Sequence, residues 1–283
     1  MLDATRRPEA AREAVRVHDA NQEGPRVFRR IMPALAAATL LLAACGGSGP
    51  AIDDPREIVT QGMEATTGLN SAHLALTVDG TVTMAELGSG QITLTGTTVE
   101  GDVDLENTTA HLTFAVPSLL GLSGEVIMLG NDTYLKTSMT GDTWAHSTSS
   151  TGDPTADLTD PTKLLDDVRA FLDKEGVEAE KLSDTDCGDS KCYAVRLTIP
   201  ASLLADTGAA AGISPGDLVG DALVLDLLFE RNDLWLAGVS TELGSESVGQ
   251  LTLSLTLSSF NEDVSVEAPP ADQVTEGGSG LPF

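Results

Sequence analysis

Residues 72–84 read AHLALTVDGTVTM. Leu74, Leu76 and Val78 fall at every second position, and Thr81-Val82-Thr83-Met84 continues the alternation. Period two sends successive side chains to opposite faces of an extended chain, so this stretch is a strand with one apolar and one threonine-rich face. The pattern returns in Gln91–Gly96, Gly101–Leu105 and Ala110–Val116. Glu125–Leu129 and Thr133–Thr137, separated by Asn131-Asp132, form a predicted hairpin, and Thr143–His146 a short strand. Ala222–Glu230, Asp233–Thr241 and Gly249–Ser258 add three more, the last with Leu251, Leu253, Leu255 and Leu257 on one face. The tail from Val266 closes a last strand with its two prolines, Pro269 and Pro270, and then becomes polar. Alternation of this kind belongs to an antiparallel, half-solvated sheet.

Helical periodicity interrupts the strands in three places. Asp53-Asp54-Pro55 is an acidic cap followed by a proline in the first turn, and Ile58, Val59, Met63 and Ala65 make an apolar stripe that stops at Gly68. After a polar loop over 147–160, Pro161 opens a second helix with Leu164, Leu165, Val168, Phe171 and Leu172 on one face, ended by Gly176. Pro200 starts a short apolar helix through Leu203 and Leu204, followed by the small-residue loop TGAAAGISPGD. Lacking a nucleotide-binding fingerprint, this layout is α+β: a single strongly curved antiparallel β-sheet with helices packed over one face.

Upstream, Arg26, Arg29 and Arg30 flank an uncharged run of 14 residues, Ile31–Ala44. That length suits a signal h-region and falls short of the roughly 20 residues needed to span a bilayer. Leu42-Ala43-Ala44-Cys45 then places small residues before a cysteine, with Gly46-Gly47-Ser48-Gly49 after it. The arrangement resembles the bacterial lipobox, whose cysteine is alkylated with diacylglycerol and becomes the first mature residue. On this reading Cys45 is lipidated, and two or more acyl chains hold the exported chain at the outer face of the cell membrane. Residues 1–25 are long for a leader, and a start at Val27 would give a compact one. The expected organisation is an upstream segment and signal peptide over 1–44, a lipidated linker over 45–52, one domain over 53–273 and a disordered tail over 274–283.

From Cys45 onward the chain carries 9 basic and 38 acidic residues, a formal charge of −29. Such a field repels nucleic acid and anionic headgroups. Cys187 and Cys192 remain as an even pair, and export to an oxidising compartment makes a disulfide the default. Only GDSK separates them, so the bridge would pin a hairpin between Glu178–Asp186 and Cys192–Ile199. A cysteine-based metal site lacks further ligands nearby.

Catalytic chemistry finds little support. His73, His111 and His146 sit singly within strands and read as surface or edge histidines. The Gly-x-Ser-x-Gly spacing occurs at Gly212–Gly216, but inside the small-residue loop and not at a strand-to-helix elbow, and the aspartate clusters near 153–167 and 184–189 do not follow the calcium-loop spacing. No cofactor or metal is expected, and the chain reads as a non-enzyme. Aliphatic supply is the informative feature: leucine and valine dominate one face of nearly every strand, against two Trp and two Tyr. Two readings of that supply stay open, an ordinary core or the lining of a cavity suited to acyl chains.

The lipobox, the Gly/Ser linker, Ala65-Thr66-Thr67-Gly68-Leu69-Asn70-Ser71-Ala72-His73-Leu74, the Asp-Cys…Cys-Tyr hairpin and Val264–Pro270 together resemble the LppX/LprAFG family of actinobacterial lipoproteins. The likeness runs over roughly Asp53–Gln273. It implies a half-barrel of the kind seen in LolA/LolB-like carriers, with helices over the concave face and a hydrophobic cavity between the layers. It further implies an acylated lipid or glycolipid as ligand, transport within the cell envelope, and a membrane transporter as partner. Carried onto this chain, the expected lining is Leu119, Leu120, Leu164, Leu165, Val168, Phe171, Leu203 and Leu204. The rival expectation is an envelope interaction or sensor lipoprotein with no lipid ligand, whose core is filled.

Overall fold

A computed structural model of the chain describes residues 51–84, 90–148, 166, 169–204, 219–245 and 249–276. The first element is helix α1 (Pro55–Thr67). Asp54 accepts a hydrogen bond from the Arg56 amide, Pro55 sets the first turn, and Gly68 ends the helix with its amide on the Ala65 carbonyl and the Leu69 amide on that of Thr66. Its buried stripe is Ile58, Val59, Gly62, Met63 and Thr66.

Strands β1 (Ser71–Met84), β2 (Gly90–Thr93), β3 (Thr97–Asp104), β4 (Thr109–Val116), β5 (Leu122–Leu129), β6 (Asp132–Thr137) and β7 (Trp144–Thr148) follow. Next come β8 (Glu178–Lys181), β9 (Thr185–Cys187), β10 (Ser190–Pro200), a one-turn helix α2 (Ala201–Leu204), β11 (Ala222–Glu230), β12 (Leu236–Ser245), β13 (Gly249–Ser258) and β14 (Val274–Glu276). They make one open, curved sheet in the order β14-β7-β6-β5-β4-β3-β1-β13-β12-β11-β10-β8, with β2 beside the far end of β1 and β9 beside β10. Every pairing is antiparallel except β14 with β7. The chain therefore builds outward from β1 to β7, jumps to the opposite edge at β8–β10, and returns through β11 and β12 to seal β13 against β1.

Two glycines help the sheet bend. At Gly80 (φ 129°) a Cβ would lie 2.1 Å from the Gln250 carbonyl oxygen, and at Gly101 (φ 156°) a Cβ would lie 2.1 Å from that of His111. Side chains are sterically excluded there, which is how a strand turns a corner without losing its neighbours.

One half of the concave face is filled. α1 sits over β8, β10, β11 and β12 and buries Ile58, Val59 and Met63 against Tyr193, Val195, Leu197, Leu227, Phe229 and Leu236. The Arg56 guanidinium donates to the Leu172 and Val177 carbonyls, tying the helix to the segment before β8. Ile52 is held at the β8 edge, its amide on the Tyr193 hydroxyl (3.2 Å) and its carbonyl accepting from Lys181 Nζ (2.7 Å). The expected disulfide is formed between Cys187 and Cys192 and joins β9 to β10.

The C-terminal segment departs from expectation. Residues 262–270 carry no strand, because Pro269 and Pro270 lack the amides a ladder needs. The strand instead falls at Val274–Glu276, inside the stretch assigned to a tail. After β13 the chain is pinned where the Asn261 amide donates to the Ser71 carbonyl and Ser71 Oγ to that of Glu262. It then passes the polar side of β1, β3 and β4 beside His73, Asp102 and His111 and pairs with β7. His146 of β7 fastens that strand: Nδ1 lies 2.8 Å from Glu276 Oε2 and Nε2 3.0 Å from Asp132 Oδ1, while the ring stacks on Tyr134.

The Glu276 hydrogen bond, and then the Asp132 one, raise the His146 pKa above the ordinary 6.5. His146 in turn holds the Asp132 carboxyl below its usual value, with help from the Thr148 hydroxyl. A raised histidine contributes stability that is full below its unfolded pKa and is lost as pH rises through the folded one. Hydrogen-exchange protection of the Val274–Glu276 amides, corrected for intrinsic rates, is therefore expected to fall as pH rises past the ordinary histidine value of 6.5. His146→Gln flattens that profile. Equal pH dependence in wild type and variant would refute the assignment.

Candidate functional site

The other half of the concave face is built by β13, β1, β3, β4, β5 and β6. Register aligns its apolar side chains into rows across the strands. One row runs Leu257, Leu74, Gly101, Leu112, Val126, Leu135, and the next runs Leu255, Leu76, Val99, Phe114, Gly124. Every aliphatic and aromatic side chain in these rows is half-buried, whereas the corresponding positions of β10 and β11 (Tyr193, Val195, Leu197, Leu227 and Phe229) are buried beneath α1 and its neighbours. The contrast lies within one continuous sheet. A filled aliphatic core on one side passes into a partly uncovered aliphatic floor on the other.

Polar groups on this floor are few. Thr97 Oγ1, at the end of β3, is shielded from solvent and makes no hydrogen bond. A buried hydroxyl without a partner costs about 1–3 kcal/mol until something satisfies it.

The opposite, convex face has different chemistry. His73 lies 2.7 Å from Asp102 and 3.4 Å from Glu100, and His111 lies 3.3 Å from Glu125, which also pairs with Lys136. Arg196 makes a two-pronged pair with Asp226, at 2.7 and 2.8 Å, which holds that carboxyl below its usual pKa. A groove of about 550 Å³ on this side runs between the disulfide-bearing turn and β11–β13, lined by Ser240, Ser254, Thr256, Asp226 and Glu230 among others. A smaller hollow of about 180 Å³ lies under the C-terminal segment at His73, Asp102 and His111. Among the described residues no group of three or more His, Cys, Asp or Glu is placed to hold a metal ion.

The residues expected to line the cavity are scattered. Leu119 and Leu120 depart from the expectation: they stand in the β4–β5 turn, 38% and 97% exposed, beyond the end of the concave-face rows. Pro117 and the left-handed pair Leu120–Gly121 reverse the chain beyond the last concave-face position, which is why they leave the sheet. Leu204 is buried with Val177, Ile199 and Val219 in a second core cluster, and Phe171 and Leu203 pack half-buried against it. Leu164, Leu165, Val168 and Cys45 lie outside the described residues. The strand leucines that form the floor were visible as alternation. Choosing among them required knowing which strands α1 covers, and that is a matter of pairing order.

No protein-family model matches the sequence, and no curated protein is similar to it at a significant level. Among solved structures the chain matches the lipoprotein LppX of Mycobacterium tuberculosis at 22% identity and a TM-score of 0.50, covering 76% of this chain and all of that one. LprF of Mycobacterium bovis follows at 18% identity and a TM-score of 0.49, covering 76% and 96%. The class is thus an open, curved half-barrel sheet with helices on its concave side, and the fold is that of LppX.

Proposed function

We propose that this chain is a membrane-anchored lipoprotein that binds acylated lipids or glycolipids on the uncovered half of its concave face and carries them within the cell envelope. The observation that carries the reading is the half-buried aliphatic floor of β13, β1 and β3–β6 beside a fully buried core on the same sheet. Burial is worth about 0.8 kcal/mol per CH₂, so a long acyl chain contributes on the order of 10 kcal/mol here and forfeits a similar amount on leaving a bilayer. Exchange is then nearly neutral, the balance a carrier needs without catalysis. The unpartnered Thr97 hydroxyl suits an ester carbonyl at the end of the floor. Acylated Cys45 would keep the domain at the outer face of the cell membrane, with a membrane transporter or other acceptor taking cargo onward.

The test is solvent extraction of the natively purified protein followed by mass spectrometry. An acylated lipid in near-stoichiometric amount is expected, and it should be displaced by added fatty acid. A protein that is free of lipid and takes up none from vesicles would favour the interaction or sensor alternative.

A further inference from the structure

Among the described residues four large apolar side chains are exposed: Leu119, Leu120, Met139 and Val224. Three of them come together. Leu119 and Leu120 occupy the β4–β5 turn and Met139 the β6–β7 turn, and the two turns are bonded side by side, with the Ser138 amide donating to the Ser123 carbonyl at 2.7 Å and the Ser123 amide to Ser138 Oγ at 3.3 Å. Leu120 is 97% exposed and adopts φ 55°, a left-handed conformation that glycine or asparagine takes with less strain. A leucine there helps neither the core nor the turn. We propose that this tip inserts into a lipid surface.

Three features select a lipid surface over a protein partner. The turns Pro117–Gly121 and Ser138–Thr143 contain a single charge, Asp142, in a chain of formal charge −27. The tip offers aliphatic and thioether groups but none of the Trp, Tyr or Arg that anchor protein interfaces. Part of its backbone is already paired: the Leu119 amide donates to Val116, Gly121 to Pro117 and Leu122 to Leu119, so the β4–β5 turn enters a low-dielectric layer with these three amides bonded. The tip also stands at one end of the aliphatic floor, directly beyond Val116 and the buried Leu122. Inserting it would bring that end of the floor to the membrane. This goes beyond the carrier reading and is measured without cargo.

The probe is an environment-sensitive fluorophore in the full chain carrying Cys45→Ala, attached at Met139→Cys or, at the opposite end of the same strands, at Asn131→Cys. In phosphatidylcholine vesicles with brominated acyl chains, quenching at position 139 is expected to exceed that at 131 by about threefold or more. Adding Leu120→Asn should bring quenching at 139 down to the level at 131 while leaving the thermal midpoint unchanged or higher, since asparagine suits the left-handed turn. Equal quenching at the two positions overturns the proposal, as does undiminished quenching in the Leu120→Asn chain. Because no cargo is scored, a failed tip leaves the extraction result standing, and a lipid-free protein leaves the tip result standing.

Discussion

Leu76→Asp and Leu255→Asp are each expected to strip the protein of acylated lipid without unfolding it. The two leucines face each other across β1 and β13, on the side of the aliphatic floor that borders the covered half. A carboxylate placed there must either lose its water to a hydrocarbon chain or keep the water and exclude the chain. Either route removes several kcal/mol of binding, and at 1.4 kcal/mol per decade that is about a hundredfold or more in affinity. Both positions are half-buried, so a charge can still reach solvent in the empty protein and the stability cost stays near 1 kcal/mol. The paired control is Thr77→Asp, one residue along β1 and exposed on the convex face, where lipid content should not change. Equal lipid in extracts of Leu76→Asp and wild type would place the ligand elsewhere, or nowhere.

The largest effect on stability is expected where α1 meets β11. Phe229 is 0% exposed, and a Cβ built on Gly62 would lie 2.3 Å from its ring. The helix approaches this closely because position 62 has no side chain. Phe229→Ala leaves a cavity beneath Ile58, Val59 and Met63 and should cost about 3–5 kcal/mol. Gly62→Ala should cost at least about 1–3 kcal/mol, because the ring it displaces is itself walled in and has no free volume to enter. Urea unfolding at constant m-value reads both. An unchanged midpoint for either variant would mean that α1 does not pack as described. The two experiments separate the halves of one face, since Phe229→Ala strikes the filled half and Leu76→Asp the open one.

Much of the fold was legible. The strands at Ala222–Glu230 and Gly249–Ser258 begin and end where their alternation does, and α1 lies within one or two residues of its cap and stop signals. These signals are local: side-chain period, a capping aspartate, a proline, a glycine. The Cys187–Cys192 bridge was legible for the same reason, because the two residues flank one turn.

The candidate site was less so. Apolar residues that broke the strand pattern looked like lining, yet Leu119 and Leu120 proved to be a solvent-exposed turn, and Leu203 and Leu204 part of a closed cluster. The histidines read as isolated, yet His73 and His111 flank Asp102 across three strands, and His146 meets a glutamate 130 residues away. None of these outcomes depends on neighbours in sequence.

By itself the sequence determined that this chain makes amphipathic strands and a capped helix, and that one face of its sheet is aliphatic. Periodicity and short motifs suffice for that, because each is set by residues within a turn or two of one another. Only the tertiary structure decided which leucines are core and which are floor. The pairing of β1 with both β3 and β13, and the placement of α1 over β8 and β10–β12, are long-range choices. Apolar positions of the same period-two alternation are buried in β10 and at Leu227 and Phe229 of β11, and left half-buried at Leu74 and Leu76 of β1 and in β13, because burial depends on what lies above a strand and not on the strand's own pattern.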